Sequence, residues 1–118
     1  MGYHLRMPNP VVHFEIGGRD SAATQKFFTD LFGWTISPMG PAAMIAAEAP
    51  GIAGHISSLG HEPHNYVTIY VQVDDLETYI AKAVELGGKK LVGPVRIPTG
   101  AFAWIADIDG NIIGLWSN

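Results

Sequence analysis

The chain carries one sequence pattern twice, with the two copies roughly 54 residues apart. Residues 20–33 read DSAATQKFFTDLFG and residues 75–87 read DLETYIAKAVELG, so each copy has an acidic residue, an amphipathic helix pattern and a final glycine. Each copy follows a short apolar segment, VVHFEI at 11–16 and VTIYVQV at 67–73. Two copies of one module must bury two half-cores against each other, and the groove between paired sheets is where a small-molecule site would form.

Composition excludes several classes of protein. With 118 residues and 47% hydrophobic content, the chain is expected to form one domain over residues 1–118. No apolar run approaches the ~18–20 residues that span a bilayer, and the N-terminal segment lacks the features of a signal peptide. We therefore expect a cytoplasmic protein without a membrane partner. The absence of cysteine excludes disulfides and thiolate metal sites. A net charge of −4, with only seven Lys and Arg, argues against binding to the phosphates of nucleic acid.

The repeated pattern predicts two modules of the order βαβββ, at about residues 10–60 and 65–118. The predicted strands are 11–16, 34–37, 42–48 and 52–58 in the first module, and 66–73, 89–97, 101–107 and 112–117 in the second. The predicted helices begin at Asp20 or Ser21 and end before Gly33 in the first module, and cover 75–86 in the second. The polar segment 60–65 is expected to connect the modules.

Helical spacing also predicts which side of the second helix faces the core. The residues expected inward are Leu76, Tyr79, Ile80, Ala83 and Leu86. Between the last two strands, the sequence DIDGN at 107–111 predicts a tight turn, because Gly and Asn adopt positive φ at little steric cost.

The segments DSAATQKFFTDLFGW, VQVDDLE, AVELGGK and especially the closing DIDGNIIGLW resemble the vicinal-oxygen-chelate superfamily, which includes glyoxalase I, bleomycin-resistance proteins and extradiol dioxygenases. The likeness runs from about Val11 to Trp116 and is nearest to a glyoxalase-like branch whose first helix ends in FGW. The resemblance implies an α+β fold in which two βαβββ modules with mixed sheets form an incomplete barrel. It also implies a homodimer, because small members of this superfamily commonly complete their clefts across a two-fold axis.

The resemblance further implies where a metal would be held, because metal-using members place ligands on the first and last strand of each module. In the second module these positions fall on Thr68 and Gly114. A threonine hydroxyl is a weak donor and glycine has no side chain, so neither is an ordinary ligand for a divalent ion. The second module is therefore expected to have lost its half of the metal site.

In the first module the strand period of two places Val11, His13 and Glu15 on one face, and His55 is the candidate donor on the last strand of this module. One hypothesis is a displaced divalent-metal site made of His13, Glu15 and His55. The other, which we favour, is that no metal or other cofactor is bound and that His13 and Glu15 act as catalytic acid–base or orienting groups. A one-residue shift of register would turn His13 outward.

Further candidate ligand-binding residues come from the second module. Tyr70 and Gln72 share a strand face with Thr68 and either contact a ligand or satisfy each other. Trp104 and Trp116 either line a cleft or fill a core, since large aromatic side chains do both.

Two functions follow from these expectations. The preferred one is binding of a small organic molecule in the cleft between the sheets, without the usual metal site of the family. The alternative is a divalent-metal-dependent lyase, isomerase or dioxygenase that uses His13, Glu15 and His55. The sequence leaves open whether the chain is an enzyme; as an enzyme it would be a glyoxalase-like lyase or dioxygenase.

Overall fold

The computed structural model describes residues 8–59 and 63–118. Within these residues the order βαβββ occurs twice, which confirms the predicted α+β fold class. The first set is β1 (Val11–Gly17), α1 (Ser21–Phe32), β2 (Ile36–Met39), β3 (Ala42–Ile45) and β4 (Ala53–Ser57). The second set is β5 (Tyr66–Gln72), α2 (Leu76–Glu85), β6 (Lys89–Ile97), β7 (Gly100–Ala106) and β8 (Ile112–Ser117). Part of the predicted connector, residues 60–62, lies outside the described residues.

Helix α1 begins and ends where its capping residues predict. Asp20 has an extended backbone, and its Oδ1 accepts a hydrogen bond from the N–H of Ala23 at 3.2 Å. Gly33 adopts φ 71° and donates its N–H to the carbonyl of Thr29 at 2.8 Å, which closes the last turn. No residue of α1 is fully buried, and Phe28 is its contact with the core.

Helix α2 packs through Leu76 and Ile80, which are buried, and through Tyr79, which packs against the same core. The prediction that Leu86 points inward is wrong, because this side chain is 68% exposed. Leu86 follows the last helical residue, where the helical spacing that the prediction used no longer applies.

Strand β2 differs most from its prediction. It starts at Ile36 instead of Trp34, because Trp34 packs into the core at the exit of α1, and it continues through Pro38 to Met39. Proline is tolerated there because β2 pairs on one side only, with β3, and therefore forms a sheet edge. Strand β3 ends at Ile45, earlier than predicted.

The chain divides into two compact units. Of the described residues, 12–59 and 63–70 form the N-terminal unit, and 8–11 and 71–118 form the C-terminal unit. Strand β5 contributes its first five residues to the N-terminal unit and its last two to the C-terminal unit.

In the N-terminal unit the strand order is β2-β3-β4-β1, with β4 and β1 parallel and the other neighbours antiparallel. The sheet is therefore mixed. One face packs against α1 around a small core, whose members are Ala43, Ile45, Ile56, Phe14, Ile16, Phe28, Trp34 and Ile36.

In the C-terminal unit β8, β7 and β6 are consecutive antiparallel strands. Their core against α2 consists of Val73, Leu76, Ile80, Ala101, Ala103 and Leu115, with Val71, Tyr79 and Ile105 packed beside it. The predicted tight turn is present: the N–H of Asp107 donates to the carbonyl of Asn111 at 2.9 Å, and the carboxylate of Asp107 accepts from the N–H of Asp109 and of Asn111. None of the helices in the described residues is long and apolar enough to cross a membrane.

Candidate functional site: a buried carboxylate and a histidine pair

Alternation along the strands of the N-terminal unit separates apolar from polar side chains. Phe14 and Ile56 join the core on the helix side, so His13, Glu15 and His55 lie on the opposite side of the sheet. Glu15 and His55 are direct neighbours across the parallel pair of β1 and β4. This placement agrees with the shared strand face that the period of two predicts for His13 and Glu15. We call the set on this side the polar face; it comprises His13, Glu15, His55, Ser57, Tyr66, Thr68 and Tyr70.

Glu15 is the centre of the polar face and is 4% exposed. Its Oε2 accepts a hydrogen bond from the hydroxyl of Tyr66, and its Oε1 accepts one from the hydroxyl of Tyr70 at 2.6 Å. Burial raises the pKa of Glu15, but the hydrogen bonds from His55, Tyr66 and Tyr70 together outweigh burial and leave the pKa below its usual value. The carboxylate is therefore ionised at neutral pH and held by donors on both oxygens.

A glycine makes room for one of these donors. A Cβ built on Gly17 would lie 2.0 Å from Cε1 of Tyr66, so the tyrosine ring occupies the space that any other residue would fill. Burial, followed by the hydrogen bond and charge of Glu15, raises the pKa of Tyr66 well above its usual value. Tyr66 thus remains a hydroxyl donor and does not act as a base near neutral pH.

The two histidines contact each other directly. Nε2 of His13 lies 2.7 Å from Nδ1 of His55, and Nε2 of His55 lies 3.4 Å from Oε1 of Glu15. The ring of His13 also meets the ring of Tyr70 edge-on, with centroids 5.7 Å apart. Burial, and secondarily the charge of His55, lowers the pKa of His13 to about 4, although the charge of Glu15 opposes this shift. His13 is therefore neutral at pH values near 7.

Two methionines lie on the same side of the sheet as the histidines, and no Lys or Arg lies on these strands. Met44 is the antiparallel neighbour of His55, and Met39 lies on the same side of β2; they are 36% and 59% exposed. Arg19 and Lys26 are the only Lys or Arg in the sequence of the N-terminal unit. Arg19 follows the end of β1, and Lys26 lies on α1, where its Nζ pairs with Asp30 at 2.6 Å.

His13, Glu15 and His55 do not fit a three-ligand metal site as they lie. Glu15 faces Nε2 of His55, whereas His13 faces Nδ1 of the same ring, so the three donors do not converge on one point. Both oxygens of Glu15 are also occupied by tyrosine hydroxyls. Among residues 8–59 and 63–118, no group of three or more His, Asp or Glu side chains could hold a metal ion.

The remaining residues predicted from the sequence fall into both units. Thr68 is 3% exposed on the polar face, beside Tyr70. Gln72 lies in the C-terminal unit, where it is half-buried and donates its backbone N–H to the carbonyl of Pro10. Trp104 is 3% exposed, and Trp116 is half-buried with its Nε1 donating to Oδ1 of Asn118 at 3.2 Å.

The two tryptophans lie on the side of the C-terminal sheet that faces away from α2. On β7 the alternate residues Ala101 and Ala103 join the core, which puts Trp104 on the other side. Trp116 is the cross-strand neighbour of Phe102, and Trp104 is the neighbour of Gly114, the position where the resemblance would place a metal ligand.

Tyr66 and Ser57 are the members of the polar face that the sequence reasoning missed. The strand period that grouped Thr68 and Tyr70 also places Tyr66 on their face, so the signal was present.

An open depression of about 570 Å³ lies elsewhere, at the β6–β7 hairpin of the C-terminal unit. It is lined by Arg96, Ile97, Pro98, Thr99, Gly100 and Asn118. None of the residues predicted for the site borders it, and it contains no buried titratable group, so the polar face remains the better candidate.

Comparison of the sequence with known proteins places these observations in a family. The model of the Glyoxalase/Bleomycin resistance protein/Dioxygenase superfamily matches residues 11–115. A glyoxylase-like domain-containing protein from Didymella fabae is 30% identical, over 86% of this chain and 91% of that protein. The anthracycline biosynthesis protein DnrV from Streptomyces peucetius is 26% identical over 92% of this chain, which spans about half of its length (47%).

Solved structures give the same result for the fold. A superfamily member from Vibrio splendidus superposes with a TM-score of 0.63 at 16% identity, covering 93% of this chain and 98% of that chain. The methylmalonyl-CoA epimerase of Streptomyces coelicolor in complex with 2-nitronate-propionyl-CoA superposes with a TM-score of 0.65 at 16% identity, covering 93% and 97%. The resemblance in the sequence motifs is thus confirmed, and the chain belongs to the Glyoxalase/Bleomycin resistance protein/Dioxygenase superfamily.

Proposed function

We propose that this chain binds a small organic molecule over the polar face of its N-terminal unit, without the metal site usual in its family. The observation that carries the proposal is the hydrogen-bonded chain from the buried carboxylate of Glu15 through His55 to His13. Buried polar groups held in one arrangement are costly to assemble, and a few such groups amid apolar side chains are typical of small-molecule sites. Met39 and Met44 supply the apolar surroundings.

Two features favour the absence of the usual metal. The positions that correspond to the family ligands in the second module hold Thr68 and Gly114, which are poor or impossible ligands. The alternative set of His13, Glu15 and His55 uses its donor atoms in hydrogen bonds that point away from a common centre. A metal-dependent lyase, isomerase or dioxygenase would require these bonds to be broken first.

The charge states favour binding over acid–base catalysis by the same residues. A general base works best when its pKa lies near the working pH. The pKa of His13 is lowered to about 4 and that of Glu15 also lies below its usual value, so both are weak bases. His13 is better suited to accept a hydrogen bond from a ligand than to remove its proton, and both oxygens of Glu15 already accept from tyrosine hydroxyls.

The proposal includes a homodimer and a cytoplasmic location, as the family resemblance and the composition predict. Sedimentation of the purified chain at several concentrations tests the first, and fractionation of cells that express it tests the second. A monomer at all concentrations would remove the dimer from the proposal but leave the polar face as the binding surface.

Metal analysis combined with ligand-observed NMR tests the function. Protein purified without chelator should contain no stoichiometric divalent ion, and a library of small aromatic and aliphatic molecules should yield binders that persist after EDTA treatment. Binding should fall in the variant His55→Phe and remain in the control His64→Ala, because His64 precedes β5 and is not part of the polar face. A stoichiometric metal whose removal abolishes binding would overturn the proposal in favour of the metal-dependent alternative.

A further inference from the structure

We infer that the ligand of the polar face presents a hydrogen-bond donor, an O–H or N–H group, to Nδ1 of His13, and that the site selects against anions. This inference rests on the proposed function and adds the chemical class of the ligand. It follows from the direction of the hydrogen bonds, the accessibility of one nitrogen and the charges of the N-terminal unit.

The ionised carboxylate of Glu15 sets the direction of the hydrogen bonds. A carboxylate only accepts, so the proton in the contact with His55 must lie on Nε2 of that histidine. When His55 is neutral, its Nδ1 then carries no proton and accepts. In the contact of 2.7 Å between the two rings, Nε2–H of His13 therefore donates to Nδ1 of His55. Because a neutral imidazole carries one proton, Nδ1 of His13 is unprotonated.

That nitrogen is open to a ligand. Among the described residues, Nδ1 of His13 has no hydrogen-bond partner, and no buried side-chain nitrogen or oxygen lacks one. Nδ1 must therefore be accessible from outside the protein. A bare imidazole nitrogen is an acceptor, so the group that complements it is a donor.

Charge decides which donors are acceptable. The polar face holds one buried negative charge, on Glu15, and no Lys or Arg lies on the strands that form it. An anionic ligand would meet this charge without a compensating cation, and its own acceptor atoms would oppose the lone pair of His13. A neutral or cationic ligand with a donor group is not repelled by the charge of Glu15 or by the lone pair of His13.

The surface next to the histidines adds an apolar requirement. Met44 is the direct neighbour of His55 across the sheet. On its other side Met44 pairs with Ser37 of the edge strand β2, and Met39 lies two residues beyond Ser37 on the same side of that strand. Methionine side chains are flexible and polarisable and pack well against aromatic rings. The ligand class is thus a neutral or cationic molecule that has an O–H or N–H donor beside an aromatic or aliphatic body.

The direction of the hydrogen bonds from His13 to His55 and from His55 to Glu15 can be measured in the protein without a ligand. In 15N NMR spectra of histidine-labelled protein at about pH 7.5, His13 and His55 should both show a proton on Nε2 and a bare Nδ1. In the variant Glu15→Gln this preference should be lost, because a glutamine can donate as well as accept. A His55 protonated on both nitrogens, or a His13 protonated on Nδ1, would reverse the bond between the rings and overturn the inference.

The ligand class can be tested with three probes of one shape: p-cresol, 4-methylanisole and 4-methylbenzoate. The first is a neutral donor, the second lacks the donor proton and the third is an anion. We expect p-cresol to bind about fivefold more tightly than 4-methylanisole, as one hydrogen bond allows, and 4-methylbenzoate to bind most weakly. The preference for p-cresol over 4-methylanisole should disappear in His13→Phe and remain in His64→Ala.

The results distinguish failure of the proposed ligand class from failure of the proposed binding function. If 4-methylbenzoate binds most tightly, or if the anisole binds as well as p-cresol, the ligand class is wrong while the binding function stands. If none of the probes shifts any resonance of His13 or His55 at millimolar concentration, the binding function fails and the ligand class fails with it.

Discussion

Gly17 lies directly beneath the ring of Tyr66, so closely that a Cβ at position 17 would come within 2.0 Å of the ring carbon Cε1. The hydroxyl of the same tyrosine donates to Glu15, so the missing side chain of Gly17 helps to place a donor on the buried carboxylate. A substitution at Gly17 of β1 would therefore displace a hydrogen-bond donor of the buried carboxylate of Glu15.

The variant Gly17→Ala should therefore be destabilised by about 1–3 kcal/mol, the usual range for overpacking a filled space. Urea unfolding of the wild type and the variant measures this difference. In a protein that already carries Tyr66→Ala, the same change should cost much less, because the ring has gone. Equal costs in the two backgrounds would show that the ring is not what the new methyl group meets.

The stability of the protein should fall between about pH 6.5 and pH 4 because of His13. Its pKa is lowered to about 4 by burial and by His55, whereas an unfolded histidine titrates near 6.5, so the unfolded state binds more protons in this window. The contribution of neutral His13 is complete above about pH 6.5 and is lost as the pH falls towards 4. Urea unfolding across this range should show a shallower slope in His13→Gln; an unchanged slope would contradict the lowered pKa.

The tyrosine hydroxyls should each lower the pKa of Glu15. Replacing Tyr70 with Phe removes one donor from Oε1, so the pKa of Glu15 should rise, and the protein should lose about 1.5–3 kcal/mol at neutral pH, as for hydrogen bonds to charged groups. Because the pKa of Glu15 is depressed in the folded state, this loss should shrink as the pH falls through the folded pKa. Carboxyl 13C NMR follows the titration, and Tyr79→Phe, on α2, is a control that should leave Glu15 unchanged.

The two helices should respond differently to loss of their preceding aspartate. Asp20 caps α1 through Oδ1, so Asp20→Ala should cost about 1 kcal/mol. Asp75 makes no side-chain capping bond to α2, although its carboxylate accepts from the hydroxyl of Thr78, so Asp75→Ala should cost less. Thermal unfolding of both variants provides the comparison, and a larger loss for Asp75→Ala would contradict the assigned caps.

The sequence predicted those features that depend on short-range rules. Asp20 and Gly33 marked the ends of α1 because a cap acts through its own neighbours, and the period of two placed His13 and Glu15 on one strand face. The family resemblance, based on the DIDGNIIGLW motif, gave the fold class.

The sequence could not predict contacts that depend on how distant strands come together. Glu15 and Tyr66 are 51 residues apart, so only the fold reveals that they meet. The sequence grouped His13 with His55, 42 residues away, only as a hypothetical metal site, and the fold adds that the two rings contact each other directly. The same holds for the donor directions at His55, which separate His13 from Glu15 and argue against their sharing a metal. The sequence likewise gives no sign of the close approach between Gly17 and Tyr66, because the ring belongs to a different strand.

The most direct test is a crystal structure of the EDTA-treated protein soaked with p-cresol. We expect the phenol to lie beside Met44 with its hydroxyl oxygen within hydrogen-bond distance of Nδ1 of His13, while Glu15 keeps both tyrosine donors. Density for the phenol at the β6–β7 hairpin alone, or a cation bound jointly by His13, Glu15 and His55, would contradict this expectation.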